Sequence, residues 1–438
     1  MRILLLTHGF NSLAQRVFAE LRADGHAVSV EYDIADSVTE EAVALWQPEL
    51  LIAPYLKRRI PRSVWPRVPC LVVHPGPPGD RGPAALDWAI LDGAREWGVT
   101  VLQATDDYDA GPLWATQKFA MRPGTKSSLY RREVTAAAVR ALRAAIARGA
   151  PLPQQDAMLA TGPLRAAPAA AFRSLNWSRM DTPTLLRLAA AADGHPGARD
   201  VLFGEPVRVF DLHAASGDAL ACAESGSPGD IVGRRGPALL RRTVDGAVWI
   251  GQVRRDMVAP SRPALKLAAT HAFAQSARDL FEMDVPLMRE NTEWDELRYE
   301  EFGPEGARVG WFEFEFHNGA FDERQSGRLR DALRSLRARP VQVLVLAGGA
   351  EFFSNGIHLH HIEAAADIPG DGVAEASWRA IQAIDDAVLE ILTLTDRLTI
   401  AALRGNAGAG GCFVALAADE VWAHGGVILN PHYKNMGN

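Results

Sequence analysis

The feature that most constrains this chain is an alternation, across its first 150 residues, of short unbroken apolar runs with amphipathic stretches. Arg2 to Thr7, Ala27 to Tyr32, Leu50 to Ala53, Cys70 to His74 and Gly98 to Ala104 read as strands. Ser12 to Asp24 and Ala84 to Gly93 carry apolar residues at helical spacing. Strands that are apolar on both faces need cover on both faces, and intervening helices supply it. The pattern predicts an α/β fold built on a parallel sheet. Ligands of such sheets sit beyond the carboxyl ends of the strands. That puts the Thr7-to-Ser12 loop and the segment after His74 on one rim.

Composition removes several function classes. The 438 residues suffice for two to four domains, and 48% apolar content is normal for packed cores. Lys and Arg total 46 against 53 Asp and Glu, scattered and not gathered in runs, so no nucleic-acid surface is expected. Only five of the basic residues are lysines, a bias read as genome composition. Cys70, Cys222 and Cys412 stand apart, which excludes a disulfide framework and argues against structural zinc. The apolar run after Met1-Arg2 is too short for a signal peptide, and no run reaches about 18 apolar residues, so no membrane is expected. The location expected is the cytoplasm.

Three domains are expected, over residues 1–150, 170–260 and 300–438. Arg148 to Ala171 is rich in Ala, Pro and Gln and reads as a linker. A helix from Thr182 to Ala192 follows. Extended stretches at Val207–Leu212, Leu239–Thr243 and Val248–Val253, with turns at Pro228-Gly229-Asp230 and Asp245-Gly246, predict a small β-barrel with a structural or docking role. A helical bridge (Ala264 to Leu287) leads to a third unit near Arg308. There Val309–Phe316, Val341–Ala347 and Leu398–Leu403 read as strands, Phe321–Ala338 and Ala374–Thr395 as helices. The unit is read as incomplete at its C-terminus.

Val72-Val73-His74-Pro75-Gly76 ends a strand on the ligand rim, and Asp109-Ala110-Gly111 lies 35 residues beyond His74. A carboxylate can fix a rim imidazole for acid–base or oxyanion chemistry. His74 through Pro83, the next helix, Gly98 through Gln103 and Asp109-Ala110-Gly111 together resemble the 10-formyltetrahydrofolate-dependent formyltransferases, methionyl-tRNA formyltransferase above all. Asn176-Trp177-Ser178, Asp193 through Ala198 and Ser227-Pro228-Gly229 resemble that enzyme's small C-terminal barrel. The resemblance implies His74 and Asp109 as catalytic residues, with Ser12, Gln103 and Asp106 binding the folate. Where that family has an asparagine two positions before the histidine, this chain has Val72. A lost oxyanion donor of that kind costs roughly 2.7–4 kcal/mol. A thiolate acceptor would relax the demand, being a better nucleophile than an amine at neutral pH.

A second constellation lies near the other end. Ala347-Gly348-Gly349 through Leu359, and Arg404-Gly405-Asn406-Ala407-Gly408-Ala409-Gly410-Gly411-Cys412, are two Gly-rich turns after strands, the second opening a helix. Exposed backbone N–H groups of such turns can form an oxyanion hole for a thioester. The pair resembles the crotonase (enoyl-CoA hydratase/isomerase) superfamily. The resemblance puts the donors at Ile357 and Gly410, with Gly356 and Gly411 holding coenzyme A. Phe413 stands where hydratases carry one glutamate, and His432 or Tyr433 where they carry the other, so hydration is not expected. Phe413 is expected to dry the pocket, and Tyr433 to donate a hydrogen bond. His358, His360 and His361 are not read as metal ligands.

The fusion of these two modules, with Pro431 through Gly437, resembles the hydrogenase maturation proteins HypX/HoxX across the whole chain. It implies a cytoplasmic enzyme using 10-formyltetrahydrofolate and coenzyme A, with hydrogenase maturation proteins as partners. It would make formyl-CoA and release from it the carbon monoxide ligand of [NiFe]-hydrogenase. Three other readings stand beside it: a formyltransferase on an amine with an inert second module, a methionyl-tRNA formyltransferase, and a non-catalytic scaffold or folate sensor.

Overall fold

The computed structural model describes residues 1–153, 162–224, 226–256, 264–289, 293–368 and 370–431. The chain folds as two units. One comprises Met1–Ser174 and Arg187–Pro196, the other Leu175–Leu186 and Gly197 onward. The helix expected at Thr182–Ala192 is present and crosses that division.

The first unit is a six-stranded sheet of β1 (Arg2–Thr7), β2 (Ala27–Tyr32), β3 (Leu50–Tyr55), β4 (Cys70–His74), β5 (Glu96–Gln103) and β6 (Leu113–Ala120), ordered β2-β1-β3-β4-β5-β6. The first four are parallel, as expected. β5 and β6 run antiparallel to their neighbours, so the sheet is mixed. Alternation along each strand feeds two cores. Ile3, Leu5, Ile52, Leu71 and Val73 face α1 (Ser12–Ala23) and the long helix Thr135–Arg148; Leu4, Leu6, Leu51, Ala53 and Cys70 build the other face. Asn11 caps α1, its side chain accepting from the Ala14 N–H at 3.0 Å. This orients the rim loop before Ser12.

The described part of the expected linker is not free. Gly162 lies so near the Gly79 carbonyl that a Cβ there would sit 1.8 Å from the oxygen. Leu164 bridges Arg81, and the Arg165 guanidinium pairs with Asp92 and covers the Trp88 ring at 3.8 Å. Residues 162–165 therefore strap the turn Gly79–Gly82.

The second unit opens with an antiparallel sheet of β7 (Ala198–Leu202), β8 (Glu205–Ala214), β9 (Ile231–Arg235), β10 (Ala238–Arg242) and β11 (Ala247–Arg255), ordered β7-β8-β11-β10-β9, with β12 (Lys266–Ala268) also paired to β11. Among the described residues no ladder joins β7 to β9. The expected helical bridge holds β12 and two short helices, Ala269–Ala272 and Ala274–Arg278. The next sheet starts earlier than expected, at β13 (Leu297–Phe302). It continues through β14 (Val309–Phe314), β16 (Val343–Leu346), β19 (Leu398–Leu403) and β21 (Glu420–Ala423), parallel except for β13. Beside it lie two small ladders. β15 (Ala320–Phe321) pairs β18 (Gly356–Ile357), and β17 (Phe352–Ser354) pairs β20 (Asn406–Gly408), which pairs β22 (Leu429–Asn430). Helices Glu323–Leu336 and Val373–Leu392 cover the sheet, close to the expected bounds.

Candidate active sites

His74 ends β4 and is buried, 4% exposed, between two carboxylates. Its Nε2 lies 2.7 Å from Asp80 Oδ2, and its Nδ1 lies 3.5 Å from Asp109 Oδ1. A ring proton on either nitrogen thus has an acceptor. Asp109 holds a left-handed backbone (φ 52°), and its Oδ2 accepts from the Gly82 N–H at 3.0 Å. Arg81 donates to the Tyr108 carbonyl from Nε and Nη2, at 3.1 and 2.9 Å. The Gly79–Gly82 turn and the Tyr108–Asp109 loop therefore clasp one another around His74, and the strap at 162–165 holds the turn from behind.

Asp80 was not among the expected site residues. Its signal in the sequence was the glycine pair Gly79 and Gly82 around it, both at positive φ (92° and 121°), which marks a turn able to fold a side chain back on His74. Of the expected folate ligands, Ser12 opens α1 on the rim. Gln103 pairs with Leu71 in the ladder, so it lies on the face opposite Val72 and His74, and its Oε1 accepts from the Trp114 indole at 3.2 Å. Asp106 is exposed and ion-paired with Arg62 at 3.3 Å. The sequence grouped these with His74; among the described residues the carboxylates the structure places against its ring are those of Asp80 and Asp109.

The second site is built from the small ladders. The His358 N–H donates to the Phe321 carbonyl at 3.0 Å. In a parallel ladder Phe321 then takes both bonds, and the Ile357 amide faces away from β15. Gly356 has φ 73°, and a Cβ on it would lie 2.8 Å from the Gly410 nitrogen. A Cβ on Gly411 would lie 2.1 Å from the Ser354 carbonyl. The two glycine turns thus meet, with the N-terminus of Gly410–Leu416 at the junction. Ala409 before it holds φ 45° and ψ −126°, a conformation costly for alanine, of a kind that clusters at functional sites. Phe413 is 47% exposed. Tyr433 and His432 lie outside the described residues.

A cavity of about 970 Å³ borders Ile357 and His358. Burial pushes the His358 imidazole down to about 3, aided by His361 and His360, and His361 down to about 4 despite Asp322. Both are uncharged when folded at neutral pH. Unfolded, each takes a proton below about 6.5. Their contribution to stability is complete above that pH and lost as pH falls toward 4 and 3. Glu296 has the opposite sign. Burial raises it to about 8, so its contribution is lost as pH rises from about 4.5 through 8. Thermal unfolding is expected to show His358→Gln flattening the acid limb, and Glu296→Gln gaining most over the parent at pH 8. Parallel Tm–pH curves for parent and variants would contradict this. No group of His, Cys, Asp and Glu among the described residues has the arrangement to hold a metal ion. No described helix is long and apolar enough to cross a membrane.

The comparisons with known proteins agree with this division. Residues 31–146 match the formyl transferase family and residues 314–426 the enoyl-CoA hydratase/isomerase family. The chain is similar to the hydrogenase maturation factor HoxX of Bradyrhizobium diazoefficiens, 50% identical over 100% of this chain and 74% of that protein. It is similar in structure to HypX from Aquifex aeolicus, solved in complex with tetrahydrofolic acid: TM-score 0.91, 40% identity, 100% of this chain and 75% of that one. Methionyl-tRNA formyltransferase of Syntrophus aciditrophicus is 24% identical over 45% of this chain and 63% of that protein. Joined by a formyltransferase unit around His74 and a crotonase-like unit around Ile357, and alike from end to end at half of all positions, the chain belongs to the HypX/HoxX family of hydrogenase maturation factors.

Proposed function

We propose that this chain makes carbon monoxide for the [NiFe]-hydrogenase active site in two steps. In the first, the formyl carbon leaves N10 of 10-formyltetrahydrofolate for the sulfur of coenzyme A. The C–N10 bond breaks, the C–S bond forms, and the thiol proton ends on N10. His74 carries that proton, with Asp80 and Asp109 orienting the ring. Ser12, Gln103 and Asp106 are proposed to contact the folate. In the second step formyl-CoA loses CO. The C–S bond breaks and the formyl hydrogen ends on sulfur, so no oxidant or reductant is needed. Ile357 and Gly410 hold the thioester oxygen, Gly356 and Gly411 let the two loops approach, and Tyr433 donates to the departing group.

The observation that carries this reading is the coexistence in one chain of a histidine between two carboxylates and a pair of facing backbone turns. One suits acid–base transfer and the other thioester polarisation. The folate complex of the Aquifex relative supports the first substrate. The cytoplasm and contact with other hydrogenase maturation proteins complete the proposal. A competition assay tests it, offering 10-formyltetrahydrofolate with coenzyme A, a primary amine or methionyl-tRNA. Formyl-CoA as the dominant product is expected; formylation of the amine or the tRNA alone would overturn it.

A further inference from the structure

In the second unit Asp211 sits in the middle of β8 yet has φ 57°, where a strand residue should be extended. Gly251 on β11 accommodates it: a Cβ there would lie 2.1 Å from Asp211 Oδ2. Strain of this kind persists where the surroundings over-determine it. The surroundings here are two histidines. His213 Nε2 lies 2.8 Å from Asp211 Oδ1, its ring stacked on Trp294 at 4.5 Å and 16°. His317 Nδ1 lies 3.7 Å from the same oxygen. The Lys266 ammonium is 3.5 Å from His317 Nε2. An ammonium has no lone pair, so Nε2 must accept, and the ring proton stands on Nδ1, facing Asp211. Burial alone would raise the Asp211 carboxyl, but the His213 charge and the histidine hydrogen bonds outweigh it and hold the group far below the carboxylate range.

His317 begins the turn that backs the first oxyanion loop. The Gly319 carbonyl accepts from the Asn355 N–H at 2.6 Å and from the Ser354 hydroxyl at 3.2 Å. The Asn318 carbonyl accepts from the Asn355 side chain at 2.6 Å. Ser354 Oγ in turn accepts from the Gly356 N–H at 3.0 Å. A chain of contacts thus runs from Asp211, across its 3.7 Å approach to His317, through that residue's turn to Gly356, the residue before Ile357.

We propose that Asp211, clamped by His213 and His317, is a positioning residue that sets the Ile357 N–H for the thioester oxygen. The antiparallel sheet is then a working part of the second site and not only a structural support. This rests on the reading of that site as an acyl-CoA oxyanion hole.

The test uses the full chain and the carbonyl stretch of bound acetyl-CoA, a stable thioester, alongside CO release from added formyl-CoA. Asp211→Asn keeps a residue that tolerates positive φ while removing the charge. In the parent the carbonyl stretch should fall on binding. In Asp211→Asn and His317→Gln most of that shift should be lost and kcat for CO release should fall about tenfold, with KM and formyl transfer near parental. If Asp211→Asn fails to fold, His317→Gln carries the test. Retention of the full shift in the variants overturns the proposal, as does the absence of any shift in the parent. A parental shift without CO release would overturn the decarbonylation reading and leave this one standing on the spectrum.

Discussion

His74→Ala is expected to lower formyl transfer by about 10²- to 10⁴-fold, the usual worth of a positioned acid–base group. The ring stands between Asp80 and Asp109, at 2.7 and 3.5 Å, and its removal leaves neither carboxylate with an imidazole to pass the proton through. Although the sequence places it on a rim, the histidine is 4% exposed and its partners are 12% and 16% exposed. Removing it leaves two mostly buried carboxylates without their shared partner, so a loss of stability should accompany the loss of activity. His74→Gln should recover part of the stability and none of the rate. Asp109→Asn should slow transfer less, since Asp80 still holds the other nitrogen. Normal formyl consumption by folded His74→Gln would refute the assignment.

Gly356→Ala is expected to be as damaging to the second site and harmless to the first. The new Cβ would lie 2.8 Å from the Gly410 nitrogen and 3.1 Å from that of Gly411, both backbone atoms that cannot swing aside. The left-handed φ of 73° adds strain. The loops must part, and the loss of an oxyanion donor typically costs about 10²- to 10³-fold. CO release from formyl-CoA should fall by that order while formyl-CoA formation from the folate stays parental. Gly411→Ala, meeting the Ser354 carbonyl at 2.1 Å, should act alike. Phe413→Glu is a milder probe: on an exposed side chain the carboxylate would be solvated, so extra hydrolysis to formate is expected to be small.

Local pattern carried much of this fold. The bounds of β1, β4 and β19 agree with apolar runs read directly from the sequence, because each run is buried on both faces; those of β2 agree as well, although it lies at the sheet edge and is only half-buried. Strand direction is a different matter. β5 is buried from Gly98 to Leu102 much as the parallel strands are, and nothing in its periodicity distinguishes an antiparallel return. The strap at 162–165 reads as linker because its contacts with Gly79–Gly82 are made by backbone, which composition does not report. Asp80 and Asp211 were missed for related reasons. The partner of one is reached through a turn; of the two histidines beside the other, His213 is close in sequence but His317 lies 106 residues away. Glycine pairing was the available clue to the first; for the second the nearby His213 was the local clue, and nothing local pointed to His317. The two glycine-rich loops were legible because their glycines answer a steric need that one loop imposes on the other.

The central claim is that one carbon passes from folate through coenzyme A to carbon monoxide on this chain. The most direct measurement supplies 10-formyltetrahydrofolate carrying ¹³C in the formyl group, with coenzyme A, and follows the label by NMR while a haem protein traps the released gas. The label should appear first in formyl-CoA and then as ¹³CO on the haem, with both signals abolished by omitting coenzyme A. Label that reaches the haem without coenzyme A, or that ends only in formate or a formylated amine, would contradict the account.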